Sequence, residues 1–186
     1  QFDTFTELLL DECPNVRVTA VEGVCKAISA YWELIPSGVV TGLLGRMVRE
    51  SACDATSSHV RAAVFRGLAY LTDNHLSLPL LKKLLPQMQT MIHDSAEKVR
   101  KSFLDLLLAV KGIRDIKFYN IVSIEHLLAR LETESPTNAK RIVKLLSSSF
   151  FPTTKSDAVK IERLMHMATT NTKATRVFAR FLHTIV

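Results

Sequence analysis

The sequence predicts an all-α fold, an open right-handed stack of about five helix pairs in which each pair buries its apolar face against the next. Three observations predict it. Gly and Pro are scarce, six of each in 186 residues. Alternating β patterns of Val, Ile and Thr are missing. An amphipathic pattern of helical period recurs from Val16, Val60, Val99, Ala139 and Ala174, at spacings of 44, 39, 40 and 35 residues. Such spacings fit one helix pair per repeat, not a heptad or a βαβ unit.

Each second helix opens on the repeated residue and places apolar side chains on one face. Val16-Arg17 leads to Ala20, Val24, Ala27 and Ile28. Val60-Arg61 leads to Val64, Gly67, Leu68 and Leu71, and Val99-Arg100 to Phe103, Leu106, Leu107 and Val110. The copies from Ala139-Lys140 (Val143, Leu146) and from Ala174 (Phe178, Leu182) are weaker. First helices are expected over 36–50, 80–93 and 118–131. Pro79 suits a first helical turn, where its missing N–H costs nothing, and Pro86 should kink the helix that contains it. Residues 147–157, SSSFFPTTKSD, read as a helix end, a linker and the next cap. The whole chain, 1–186, is expected to form one solenoid with repeats at 1–32, 33–73, 76–112, 115–150 and 156–186, the first pair truncated. A chain opening on Gln1 is expected to be a piece of something longer.

Composition narrows the function. Hydrophobic residues make up 47% and charged residues 23%, an ordinary globular balance. The longest apolar run, Leu104 to Val110, is short and carries Asp105, so no membrane span is expected. Cys13, Cys25 and Cys53 are an odd count with no C-x-x-C pair, which reads as free thiols and not as a disulfide framework or zinc site. The six histidines show no i, i+4 pairing. His93-Asp94 and Glu125-His126 are neighbours along a helix and point in different directions. No nucleophile elbow, Gly-rich phosphate loop or H-E-x-x-H occurs. The expectation is a non-enzyme with no catalytic residue, no metal, no cofactor and no small-molecule substrate.

Charge is uneven. The net value is +6, but residues 1–60 sum to −4 and residues 61–186 to +10. That asymmetry suits an acidic partner, of which nucleic acid is the usual one.

The segment LLKKLLPQMQTMIHDSAEKVRKSFLDLL, residues 80–107, resembles the HEAT repeat: Leu-Leu-Pro in a kinked first helix, Asp in the turn, then Val-Arg opening the second. The resemblance implies a ladder of Asp and Arg side chains between neighbouring repeats. Carried onto this chain it comprises Asp11, Asp54 and Asp94 with Arg17, Arg61 and Arg100. Arg's planar fork matches a carboxylate, so these arginines are poor candidates for DNA contacts. Glu134 and Lys140 replace Asp and Arg in the fourth copy, and Lys cannot reproduce the fork. A narrower likeness lies over residues 93–135, HDSAEKVRKSFLDLLLAVKGIRDIKFYNIVSIEHLLARLETES, which resemble the G-type HEAT subunits of condensin II. That family implies a non-catalytic scaffold held by the kleisin and other condensin II subunits, contacting duplex DNA in the nucleus, on chromosomes. The rival reading is a purely protein-binding HEAT solenoid, such as a nuclear transport receptor or a phosphatase scaffold.

One candidate DNA surface follows from helical phase. The position two after each repeated residue lies about 200° from it, away from the apolar stripe. Across the copies it is Val18, Ala62, Lys101, Arg141 and Arg176. The last three form an expected basic row, flanked by Lys98 and Lys144, able to meet phosphates without reading bases. Tyr31-Trp32 and the aromatics of IKFYN, residues 116–120, are expected in the core more readily than on a partner surface. Ser135-Pro136 has the form of a proline-directed phosphorylation site.

Overall fold

A computed structural model describes residues 2–152 and 154–183. Among them lie ten α-helices, four short 3-10 segments and no strand, and no helix is long and apolar enough to cross a membrane. The chain divides into two compact units, Gln1–Ile121 and Val122–Val186. The division falls inside the stretch expected as the fourth repeat.

The first unit contains α1 (Phe2–Leu8), α2 (Pro14–Ala30), α3 (Ser37–Arg49), α4 (Ser58–Leu71), α5 (Leu78–Leu84) and α6 (Glu97–Lys111). Helices α2, α4 and α6 are the second helices of successive pairs, and α4 packs between the other two. That placement buries α4 on two sides. Val60, Ala63, Val64, Phe65 and Leu68 are all fully buried, and the Phe65 ring meets Phe103 of α6 edge-on at 5.2 Å. Each such large side chain contributes about 1.5–3 kcal/mol by leaving water. Where α4 crosses α2, Gly67 lies so close to Cys25 that any Cβ would collide with its Sγ.

Helix starts follow local chemistry. Pro14 occupies the first turn of α2, and Ser57 caps α4 by accepting from the Val60 N–H at 3.4 Å. The third pair departs from the single helix expected over 80–93. α5 begins earlier, at Leu78, with Pro79 in its first turn, and stops at Leu84. Residues 85–93 continue as 3-10 turns, interrupted at Met88 (φ −104°, ψ 16°). Pro86 is the cause, since it removes a backbone donor and its ring pushes away the preceding turn. The helix expected over 118–131 is likewise divided. A 3-10 turn at Phe118–Asn120 closes the first unit, and the helical run restarts after Ser123.

The second unit contains α7 (Ile124–Leu131), α8 (Pro136–Phe150), α9 (Asp157–Thr170) and α10 (Thr172–Leu182). Ser123 caps α7 through the His126 N–H, and Asn171 caps α10 through the Ala174 N–H. α10 packs on α8 and α7, where Phe178 meets Phe150 edge-on at 5.5 Å and stacks on Phe151 at 6.3 Å. α9 contributes little to this core: of its residues only Met167 is buried. Ile161 and Met165 are more than half exposed.

The aromatic expectation divides. Ile116 and Phe118 are buried, whereas Tyr31 and Tyr119 stand in solvent. Tyr31 lies where the chain leaves α2, and Tyr119 in the short 3-10 turn Phe118–Asn120, neither on the face of an α-helix.

Candidate nucleic-acid interface

The Asp and Arg residues assigned to the ladder sit in the turns and first helical turns that join the pairs of the first unit. Arg17 of α2 donates from Nε to Asp54 Oδ2 at 2.8 Å and from Nη2 to Thr56 Oγ1 at 2.6 Å. Its Nη1 donates to the carbonyls of Asp11 and Glu12. Arg61 of α4 grips both oxygens of Asp94, from Nε at 2.7 Å and from Nη2 at 2.9 Å, while Nη1 donates to the Asp54 carbonyl at 2.7 Å. Arg100 of α6 is buried and donates to the carbonyls of Asp94 and Ser95. Asp11 turns its carboxylate to its own loop and accepts from the Cys13 N–H at 2.7 Å.

The carboxylates are held doubly. Asp54 Oδ1 accepts from the N–H groups of Thr56 and Ser57, and Asp94 Oδ1 from that of Ala96. Burial pushes the Asp94 carboxyl up, but the Arg61 hydrogen bond, the Ala96 N–H and the charges of Arg61 and Arg100 outweigh it, leaving the group below its usual value. Asp54 behaves alike: burial opposes ionisation, and Thr56, Arg17 and the Ser57 N–H prevail. Bidentate, charge-assisted bonds at joints this dry are strong. Arg17 and Arg61 keep little donor capacity for an outside phosphate.

In the fourth copy Glu134 is held by Arg130 within the same unit, Nε to Oε2 at 2.8 Å, and accepts from the Ser135 N–H at 3.0 Å. Lys140 lies instead with its ammonium over the Phe181 ring, 5.8 Å from the centroid.

The candidate phosphate contacts divide between the units. In the first, Lys101 is exposed and pairs with Asp105 one turn on, at 2.9 Å. Lys98 is exposed, with Nζ 2.8 Å from His59 Nε2. In the second, Lys144 of α8 and Arg176 of α10 are exposed, and Arg141 is half-buried, with Nη1 donating to the Thr137 carbonyl at 3.0 Å. The phase rule fails in α4. Ala62, expected to face outward, is buried at 1% exposure: α4 packs between α2 and α6, and on this side the longer Arg66, one turn on, reaches solvent while the short Ala62 does not. Val18 is half-buried.

The single-phase reading missed part of the basic surface. On α10, Lys173, Arg176 and Arg180 are all exposed at spacings of three and four, one face of a helix. The signal was legible as an i, i+3, i+7 pattern. On α8, Lys140 and Lys144 are exposed one turn apart, and the Lys140–Phe181 contact brings the α8 stripe beside α10. Neither helix contains a single carboxylate. Two packed helices therefore carry Lys140, Arg141, Lys144, Lys173, Arg176 and Arg180, with no acidic residue in either helix. Among the described residues no group of His, Cys, Asp or Glu could hold a metal ion.

Comparison with known proteins bears on the whole chain. It is 46% identical over 178 residues, 96% of its length, to the G2 subunit of the condensin-2 complex of Danio rerio. Over nearly its whole length the chain is similar to condensin-2 G2 subunits. The G2 subunits of Xenopus laevis and Homo sapiens match at 43% and 42% identity over 183 residues, 98% of the chain. The chain spans about 16% of the length of each of these condensin-2 subunits. No protein-family profile matches it, and neither does any solved structure.

Proposed function

We propose that this chain is a non-catalytic scaffold segment of a condensin II complex, acting on chromosomes in the nucleus and contacting the backbone of duplex DNA during mitotic chromosome condensation. The kleisin and the other subunits of the complex are its protein partners. The observation that carries the DNA reading is the acid-free pair of basic helices, α8 and α10. Phosphates spaced along a duplex need positive charge within reach and no base-edge geometry. Exposed Lys and Arg stripes on two packed helices supply that. Lys101 and Lys98 add charge on the first unit. Lys101 has to exchange Asp105 for a phosphate, which costs little for an exposed pair.

The test is binding of the full 186-residue chain to a labelled duplex across a salt series, with two unrelated sequences. Affinity should be the same for both and fall steeply with salt. Replacing Lys173, Arg176 and Arg180 together by Glu should remove most of it and flatten the log–log salt slope by about 0.9 per lost contact. The same loss, smaller, is expected for Lys101, Arg141 and Arg176 changed together, with the circular dichroism spectrum unchanged. Wild-type affinity in the folded α10 variant would sink the reading.

A further inference from the structure

The first unit carries a second surface, of different character. Where α2 ends, the chain turns through residues 31–36. The N–H groups of Leu34 and Ile35 both donate to the Tyr31 carbonyl, at 3.0 and 3.1 Å. Where α4 ends, residues 72–77 turn likewise and are tied to the first turn. Asn74 Nδ2 donates to the Ser29 carbonyl at 3.3 Å, and Asn74 Oδ1 accepts from the Leu76 N–H at 3.0 Å. Ser77, fully buried, donates to the Leu71 carbonyl at 2.6 Å. Between these pinned turns and the starts of α3 and α5 runs a groove of about 280 Å³, lined by Trp32, Ile35, Val40, Leu76 and Leu80.

Ile35 and Val40 form its buried base, whereas Trp32 and Leu80 are half-buried and Leu76 is exposed. In the neighbouring turn, outside the lining itself, Leu34 is 81% exposed and Tyr31 58%. Single exposed apolar residues are ordinary, but a group of them around a concave site marks a binding surface. The volume stands at the low end of the roughly 300–1,000 Å³ of ligand sites, with room for an inserted side chain. Its only charged lining residue is Lys83, exposed on α5, and no carboxylate lines it. Ser37 and Thr41 add hydroxyls to the lining; a mainly apolar groove with one cation is complementary to an apolar side chain beside a negative charge.

We infer that the groove between the 31–36 and 72–77 turns docks a partner-protein segment that inserts an apolar side chain into it and sets a neighbouring carboxylate against Lys83. The site is independent of the basic helices of the second unit, and its occupant is a peptide, not a nucleic acid.

Trp32 is the chain's only tryptophan, so its indole N–H gives a single, unambiguous NMR signal inside the groove. The probe is N-acetyl-L-phenylalanine, an apolar side chain beside a carboxylate. Its neutral control is N-acetyl-L-phenylalaninamide. Titrated into the full chain, the acid should shift the Trp32 signal saturably, and the amide should bind about two- to fivefold more weakly, the range of an exposed ion pair. Lys83→Gln, at an exposed position, should bring the acid down to the amide's affinity and leave the amide unchanged. No saturable shift with either probe overturns the groove as a docking site. Equal binding of acid and amide, or an acid affinity indifferent to Lys83→Gln, overturns the acidic-apolar occupant.

Discussion

Gly67 stands at a close approach in the first unit, where α4 crosses α2 and a Cβ would strike Cys25 Sγ. Nothing about its backbone requires glycine, since it sits inside a helix where alanine is intrinsically better by about 1 kcal/mol. Space decides instead. Gly67→Ala should therefore lower stability by about 1–3 kcal/mol, the cost of overpacking a close-packed joint. If the collision is the cause, Cys25→Ala in the same chain should restore much of the loss, which a double-mutant cycle of urea melts would read as coupling between the two sites. Additive effects would refute the steric account. The same crossing protects the thiol: burial, with a smaller contribution from Glu22, pushes Cys25 up to about 12. Cys13 and Cys53 are exposed. None of this is legible in the sequence, where Gly67 reads only as a small residue on an apolar face.

At the scale of elements, the helices were legible because each must bury one face, and that demand writes a period into the residues. The fold class, the positions of the second helices and the break near Pro86 all follow from local chemistry. What was not legible depends on neighbours. Ala62 is buried because it is short and α4 packs between two helices, and no count along one helix can tell a covered side chain from a wet one. The basic stripe of α10 was missed for the opposite reason: one position per repeat was read where the whole face carried the signal. The joints between elements give a sharper test. Asp54 and Asp94 ionise more readily in the fold than in the unfolded chain. A depressed folded value means stability that is present above the unfolded value, about 3.9, and is lost as pH falls through the folded one. Arg61→Ala should cost about 1–3 kcal/mol at neutral pH, because it strands the dry Asp94 carboxylate. It should also make the melting temperature less sensitive to acid below about pH 4, since the group responsible for part of that sensitivity has lost its partner. DNA affinity of the folded variant should barely move. Unchanged melting together with much weaker DNA binding would reverse the assignment of Arg61.

For the whole molecule, stability should be unequal along the chain. In a repeat array each element is held mainly by the interfaces with its neighbours, and local opening is cheapest where few apolar contacts must break. α4 is packed on two sides, its core side chains fully buried and both flanking joints fastened by Arg–Asp pairs. α9 offers one buried residue, Met167, and leaves Ile161 and Met165 in water. In the fourth copy, Lys140 spends its charge on a ring face and not on a carboxylate fork. Amide hydrogen exchange on the full chain should then rank α4 and α6 as slowest, α8 and α10 as intermediate and α9 as fastest, with α9 amides opening well below the global unfolding free energy. Because the basic stripes lie on α8 and α10, a bound duplex should slow exchange there, and it should leave α4 unchanged. Uniform protection from α4 through α9 in the free chain would mean that buried apolar area and the Arg–Asp joints do not set local stability here.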